Sequence, residues 1–316
     1  MKNINLIDDD IYNLFWKIAL PSSVGTVFQN LYSLVDAIFA GRMISEIALA
    51  AIGQTFPIYF IIIALGIGLS IATTSIVANS IGEKKVSKAS QIFSQSLGIA
   101  IFIGIMISIF GIYFGPSILK SINSDLETLK LSTDYMNIIY LGSVIILLLM
   151  VSNSCLAALG DTKSYRNVLI FSFFLNIILN PILISGELLG YEIFNPLGIS
   201  GIAIATILSQ FIGLLYLLYK ISKTEIYKFF KNKYLLPKLK SITEISIQGI
   251  PASIGLMMIA LGSYILLYFV SYYGNDAIAG FASAGRYEQL LFLPLLGLST
   301  AVTSIVGQNL GANKPE

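Results

Sequence analysis

The chain has 316 residues, 56% of them hydrophobic and 11% charged, with a net charge of +2 and a mean hydropathy of +0.82. Soluble domains carry about 25% charged residues, so this composition excludes them and specifies a polytopic membrane protein. With no histidine and a single cysteine, Cys155, the sequence also excludes an intrachain disulfide, His-ligated zinc or haem, and Ser-His-Asp catalysis.

Apolar runs bounded by charged or Gly/Pro/Asn stretches predict eight spans, at 14–40, 50–80, 92–116, 134–158, 166–186, 197–219, 245–272 and 279–309. Long hydrophobic helices fit these runs, whereas the ~10-residue alternating segments of a β-barrel are absent. The first run follows Asp8-Asp9-Asp10 without a basic n-region or a small-residue cleavage site, so it is expected to stay on the protein.

Within that run, LPSSVGTVFQNLYSLVDAIFAGR carries one carboxylate, Asp36, between the flanking charges Lys17 and Arg42. About 24 residues intervene, enough at 1.5 Å each to cross a ~30 Å hydrocarbon core. A charge at that depth costs at least ~2.5–3.5 kcal/mol, which makes Asp36 a functional candidate. The competing reading places it near enough the outer end to reach headgroups. The shortness of Asp, and the polar company of Gln29, Asn30 and Tyr32, favour the first.

With the N-terminus assigned to the cytoplasm, the inside segments hold fifteen lysines and arginines and the outside segments three, Arg42, Lys120 and Lys130. That asymmetry orients a multi-pass protein of the cell membrane. The connector 220–244, KISKTEIYKFFKNKYLLPKLKSITE, is basic and holds Tyr227, Phe229, Phe230 and Tyr234, which predicts an amphipathic helix with lysines facing anionic lipid. A solvated linker is the plainer alternative, and no nucleic-acid partner is expected.

The chain repeats itself. Residues 68–85, GLSIATTSIVANSIGEKK, match 297–314, GLSTAVTSIVGQNLGANK, at ten of eighteen positions, and Pro21-Ser22-Ser23-Val24-Gly25 aligns with Pro251-Ala252-Ser253-Ile254-Gly255. Spans one and two therefore recur as seven and eight. The expected fold is an all-α duplicated six-helix bundle with an incomplete second copy, its repeats parallel about an axis along the membrane normal. The predicted units are an N-terminal lobe at 1–222, a basic linker at 223–244 and the first two helices of a second lobe at 245–316, the missing helices coming from further sequence or another chain.

QNLYSLVDAIFAGR, the helix ending SIVANSIGEKK, the loop ALGDTKSYRN and RYEQLLFLPLLGLSTAVTSIVGQNLGANK together resemble the multidrug and toxic compound extrusion (MATE) family, exporters of twelve helices in two lobes. The resemblance runs from Leu14 to Lys314 and implies a cation-coupled antiporter, not an enzyme, exporting amphipathic or cationic organic compounds by alternating access. It implies no cofactor beyond a coupling ion, H⁺ or Na⁺. Carried over residue by residue, Asp36 matches the helix-one acid of the family's N-lobe pocket, with Tyr32 one turn before it. Asn176 matches the first member of the helix-five pair, Thr206 the helix-six threonine, and Asn153 is a helix-four contributor.

Asn180 departs from the pattern, standing where the pair often has Asp. An amide offers a carbonyl oxygen but no formal charge and no exchangeable proton, so Asp36 is left as the one ionisable group expected in this lobe. Reversible protonation of Asp36 is the favoured coupling, and an oxygen cage for Na⁺ from Asp36, Asn176, Asn180 and Thr206 is the alternative. Plain interhelical hydrogen bonding by the two amides is the structural one. The helix-seven acid used in some branches is missing from PASIGLMMIALGSYILL, and Arg286 with Glu288 are candidate polar contacts of the second lobe. Two other functions stay open: a lipid-linked saccharide flippase of the same superfamily, against which the cation-poor spans argue, and an inactive truncated scaffold.

Overall fold

Capping residues, prolines and charged turns cut the apolar sequence into long helices. The computed structural model of the chain describes residues 5–122, 125–188, 191–273, 284 and 295–314. The helices are α1 (Ile11–Phe39), α2 (Glu46–Gly82), α3 (Val86–Ile122), α4 (Leu126–Ala158), α5 (Lys163–Ser185), α6 (Ile199–Ser222), the short α7 (Glu225–Lys228), α8 (Leu239–Ser271) and α9 (295–311). Between α5 and α6 a two-residue antiparallel ladder pairs Glu187 with Glu192 and Leu188 with Tyr191.

Starts and stops follow local chemistry. Asp10, Ser45 and Asp125 each accept the amide of the residue three positions on, at 2.9–3.1 Å, which satisfies one of the free N–H groups at the heads of α1, α2 and α4. A π-helical turn at Ala40–Ile44 ends α1 against α2. Both α2 and α9 end in the same Schellman turn. Lys85 N bonds Ser80 O and Lys84 N bonds Ile81 O in the first, and Lys314 N bonds Asn309 O and Asn313 N bonds Leu310 O in the second. The left-handed residue is Lys84 (φ 59°) in one copy and Asn313 (φ 55°) in the other. Asn takes this conformation at little cost, and lysine at a larger one. Lys84→Gly is expected to raise unfolding stability by about 1 kcal/mol, read as a higher thermal midpoint in uncharged detergent.

Six of these helices, α2 to α6 and α8, are long and apolar enough to cross a bilayer. The 29-residue α1 has the length but carries more polar side chains, and α9 is the described part of the eighth expected span. Arg286 and Glu288 lie outside the described residues. The helices α1 to α5 and α8 begin three to eight residues before the predicted apolar runs, and side-chain caps set the starts of α1, α2 and α4.

In the first six-helix unit α4 is central, touching α2, α3 and α6, while α1 packs on α5 and α5 on α6. The core forms where Ile76, Val77, Phe93, Leu147, Val151, Leu156 and Leu217 meet. Outward, α3 exposes Phe102, Ile109, Phe110 and Phe114, and α5 exposes Phe171, Phe174 and Ile178. In water such faces would be an association liability; against lipid tails they are matched.

The second copy docks on the first through contacts that the repeat offset exchanges. A Cβ on Gly68 of α2 would overlap Ser253 of α8, and one on Gly297 of α9 would overlap Ser23 of α1. Likewise Gly82 lies against the Gln308 carbonyl, and Gly311 against that of Asn79. Swapping the copies returns the same contacts, the mark of a pseudo-two-fold axis between them. Three further bonds fasten this end: Gln308 Nε2 to Ala158 O (2.6 Å), Asn309 Nδ2 to Leu6 O (2.9 Å) and Lys314 Nζ to Asp8 Oδ1 (2.7 Å).

The connector differs from the expected amphipathic helix. It contains only the four-residue α7 and a 3₁₀ turn at Asn232–Tyr234 before Pro237 and the start of α8. Ile226 is buried and Phe230 and Leu235 pack against the core, so these apolar residues anchor the segment inward instead of lining one membrane-facing helix.

Candidate functional site

Three stripes of inward positions converge near the Phe39 end of α1. Leu14, Ile18, Pro21, Gly25, Tyr32 and Asp36 recur on the buried face of α1 at helical spacing; Val168, Ser172, Asn176, Asn180 and Ile184 do so on α5, and Ile202, Thr206, Ser209 and Gly213 on α6. Packing of α1 on α5 and of α5 on α6 then brings the polar members together. Asp36 is only 4% exposed, and Asn176 and Asn180 are fully buried.

Asp36 accepts three hydrogen bonds. Asn176 Nδ2 and Asn180 Nδ2 donate to Oδ1 at 3.0 and 2.9 Å, and Thr206 Oγ1 donates to Oδ2 at 2.9 Å. Asn180 Nδ2 also donates to Asn176 Oδ1 at 3.0 Å. Every ion pair among the described residues lies elsewhere, so dipoles alone compensate this carboxylate. The Asn180 carbonyl oxygen is buried with no hydrogen-bond partner among the described residues. Pro181, which has no N–H, leaves the Ile177 carbonyl without its usual helical donor beside the same group.

Tyr32 lies one turn from Asp36 on the same face, its hydroxyl buried and unpartnered among the described residues. It lines a cavity of about 30 Å³ with Gln29, Tyr165, Ser172 and Gln210. Gln29 was expected from sequence only as polar company for Asp36, and Gln210 was not expected, although an amide in an apolar span is the same signal that marked Asn176. Asn153 is not one of the three donors to Asp36; on α4 it lies one turn beyond Leu149 and Met150, which line the cavity beside Tyr32.

No group of three or more His, Cys, Asp or Glu capable of holding a metal occurs among the described residues. The oxygen atoms around Asp36 do suit a hard monovalent cation: the carboxylate, the free Asn180 carbonyl, the Thr206 hydroxyl and the Asn176 carbonyl. Chemically, the cluster can exchange one positive charge, as a proton or an alkali ion, against a change in amide orientation.

Comparison with known proteins agrees with this architecture. The chain is 26% identical over 93% of its length to the probable multidrug resistance protein YoeA of Bacillus subtilis (strain 168), and 26% identical over 98% to the FAD transporter of Shewanella oneidensis. It spans 64% and 68% of those two proteins. A solved outward-facing multidrug resistance MATE transporter of the MOP superfamily superposes with a TM-score of 0.87 at 28% identity, covering 99% of this chain and 68% of that one. The MatE family model matches residues 21–182 and 251–316, the two stretches that begin at the repeated Pro-x-Ser motif. The chain therefore belongs to the MatE family, the multidrug and toxic compound extrusion family that its sequence resembles.

Proposed function

We propose that the chain provides the first lobe, and the beginning of the second, of a cation-coupled antiporter that exports cationic and amphipathic organic compounds across the cell membrane by alternating access. The observation that carries this reading is Asp36: a buried carboxylate, held by three dipolar donors and no cation, at the meeting of α1, α5 and α6. The names of similar proteins, multidrug resistance among them, support the substrate class. So does the distribution of cations. The lysines and arginines of α1 to α6 lie toward helix ends, at Lys17, Lys88, Lys120, Lys130, Lys163, Arg166 and Lys220, leaving mid-helix walls suited to neutral or positive cargo. Lysine asymmetry supports a cytoplasmic N-terminus.

The coupling step follows from donor arithmetic. As a carboxylate, Asp36 takes all three donors. As an acid it becomes a donor at one oxygen and needs an acceptor there. Turning the Asn180 amide over puts its free carbonyl where its Nδ2 now lies, 2.9 Å from Asp36 Oδ1, and so supplies that acceptor. The turn breaks the Nδ2 bond to Asn176, the tie within α5. Proton gain at Oδ1 thus changes how α1 is held to α5, whereas a proton at Oδ2 would be taken by the Thr206 hydroxyl without that turn, and a ligand that prefers one hold shifts the equilibrium between lobe arrangements. Were Na⁺ the coupling ion, Asp36, Asn176, Asn180 and Thr206 would hold it.

Reconstitution of the protein carrying both complete copies tests the reading. Ethidium export driven by an imposed pH gradient is expected; export driven only by a sodium gradient would replace the proton, and no gradient-driven export would overturn the antiporter. Asn180→Leu should leave Asp36 short of one donor, with a stability loss of about 1–3 kcal/mol seen as a lower thermal midpoint.

A further inference from the structure

A groove of about 680 Å³ lies outside the site just described, between the turn joining α2 to α3 and the short α7 of the connector. Lys84, Lys85 and Lys88 come from the turn side, Lys228 and Phe229 from the connector side. The two acidic side chains there do not neutralise it. Glu83 is paired with Lys85 at 3.0 Å and Lys88 at 4.0 Å, and Glu225 with Lys228 at 3.8 Å, while Lys84 has no ion pair among the described residues. Four lysines face two carboxylates.

Lys84 is the informative member. It occupies the left-handed position of a Schellman turn that its repeat counterpart fills with Asn313, a residue that adopts φ > 0 at little cost. The turn does not need lysine, so the strained residue supplies something other than backbone geometry, and what it adds is a positive charge at the groove whose nearest claim is on Asp8, a carboxylate already bonded to Lys314. Beside that charge the connector exposes apolar groups: Tyr227 is 52% and Phe229 44% exposed, and Leu236 and Leu239 are more exposed still. A cationic floor next to an aromatic lip matches a ligand with an anionic head and an apolar tail.

We propose that this groove binds the phosphate headgroup of an anionic phospholipid from the adjacent leaflet. Lys84 and Lys228 contact the phosphate, and Phe229 lies along the start of an acyl chain. Because the lysines come from both sides of the groove, a bound lipid ties the connector between the two copies to the α2–α3 turn. It therefore acts on the segment that joins the two copies, and the assignment does not depend on which ion or cargo the protein carries.

The test uses the whole chain in phosphatidylcholine vesicles, with Trp16→Phe and Phe229→Trp placing the sole tryptophan at the groove. Brominated phosphatidylglycerol and brominated phosphatidylcholine are then compared as quenchers. With about fivefold per lysine at a membrane surface, a net of two charges gives a preference of roughly 30-fold for phosphatidylglycerol. Lys84→Asn combined with Lys228→Gln should bring the ratio near one; Asn313 shows that the turn accepts Asn. Lys240→Gln, on the connector side of α8 but outside the groove, should leave it unchanged. Equal quenching by both lipids in the parent protein would overturn the site. So would an equal loss in Lys240→Gln, which would show diffuse surface charge, and so would relief of quenching by millimolar inorganic phosphate, which would show a soluble ligand.

Discussion

Asp36→Asn is expected to lower gradient-driven export by a factor on the order of 100 in the protein with both complete copies, while cargo binding measured without a gradient changes little. The substitution keeps the volume of the side chain and one acceptor oxygen. It places an NH₂ group at the other position, where the Thr206 hydroxyl can reverse its role and accept. The helices therefore still have partners, and the variant should fold. What disappears is the capacity to gain and lose a charge, and with it the differential affinity that lets an ion favour one arrangement over the other. Export assayed in vesicles with an imposed pH gradient, alongside equilibrium ethidium binding, separates the two effects. Undiminished export would remove Asp36 from the coupling step, and binding lost in parallel would make it a cargo contact.

The second large effect is expected at the junction of the copies. Gly82 and Gly311 each lie against backbone of the other helix, so Leu at either position cannot be accommodated by rotating a flexible side chain. Overpacking of this kind costs about 1–3 kcal/mol, enough to shift a two-state equilibrium by about 5- to 150-fold. Because the repeat offset exchanges the two contacts, Gly82→Leu and Gly311→Leu should act alike. Ser304, fully buried in α9, reports the change. Its cysteine variant in a Cys155→Ser background should react with maleimide at least about fivefold faster once either leucine is present. Gly53→Leu, where nothing lies within 4 Å, should leave the rate as it was. An unaltered rate in both junction variants would mean that this contact does not close the end of the bundle.

Much of the Asp36 cluster was legible in sequence because polarity is rare in these spans. A carboxylate, two amides one turn apart and a threonine stand out against leucine and isoleucine, and their spacing already places each on a single helix face. Which partner a residue meets is less legible. Asn153 has the same chemistry as Asn176 but is not a donor to Asp36, and residue type carries no information about the partner. The connector failed for a related reason: its aromatic spacing suits an amphipathic helix, yet Ile226, Phe230 and Leu235 are drawn into the core, and Pro237 interrupts the run. The duplicated architecture was readable from self-similarity alone. The exchange of the Gly68/Ser253 and Gly297/Ser23 contacts was not, since it depends on how two helices cross.

The bond from Asn309 to the carbonyl of Leu6 joins residues 303 positions apart. At ribosomal rates of about 5–20 residues per second, the segment before α1 waits roughly 15–60 s during synthesis before its partner emerges. Over that interval Leu6 has Leu14, Ile18 and Gly160 of the first copy to pack on, but lacks Ala301 and Ile305, which complete its enclosure. Full resistance of the N-terminal segment to cleavage is therefore expected only after the second copy has arrived in the nascent protein.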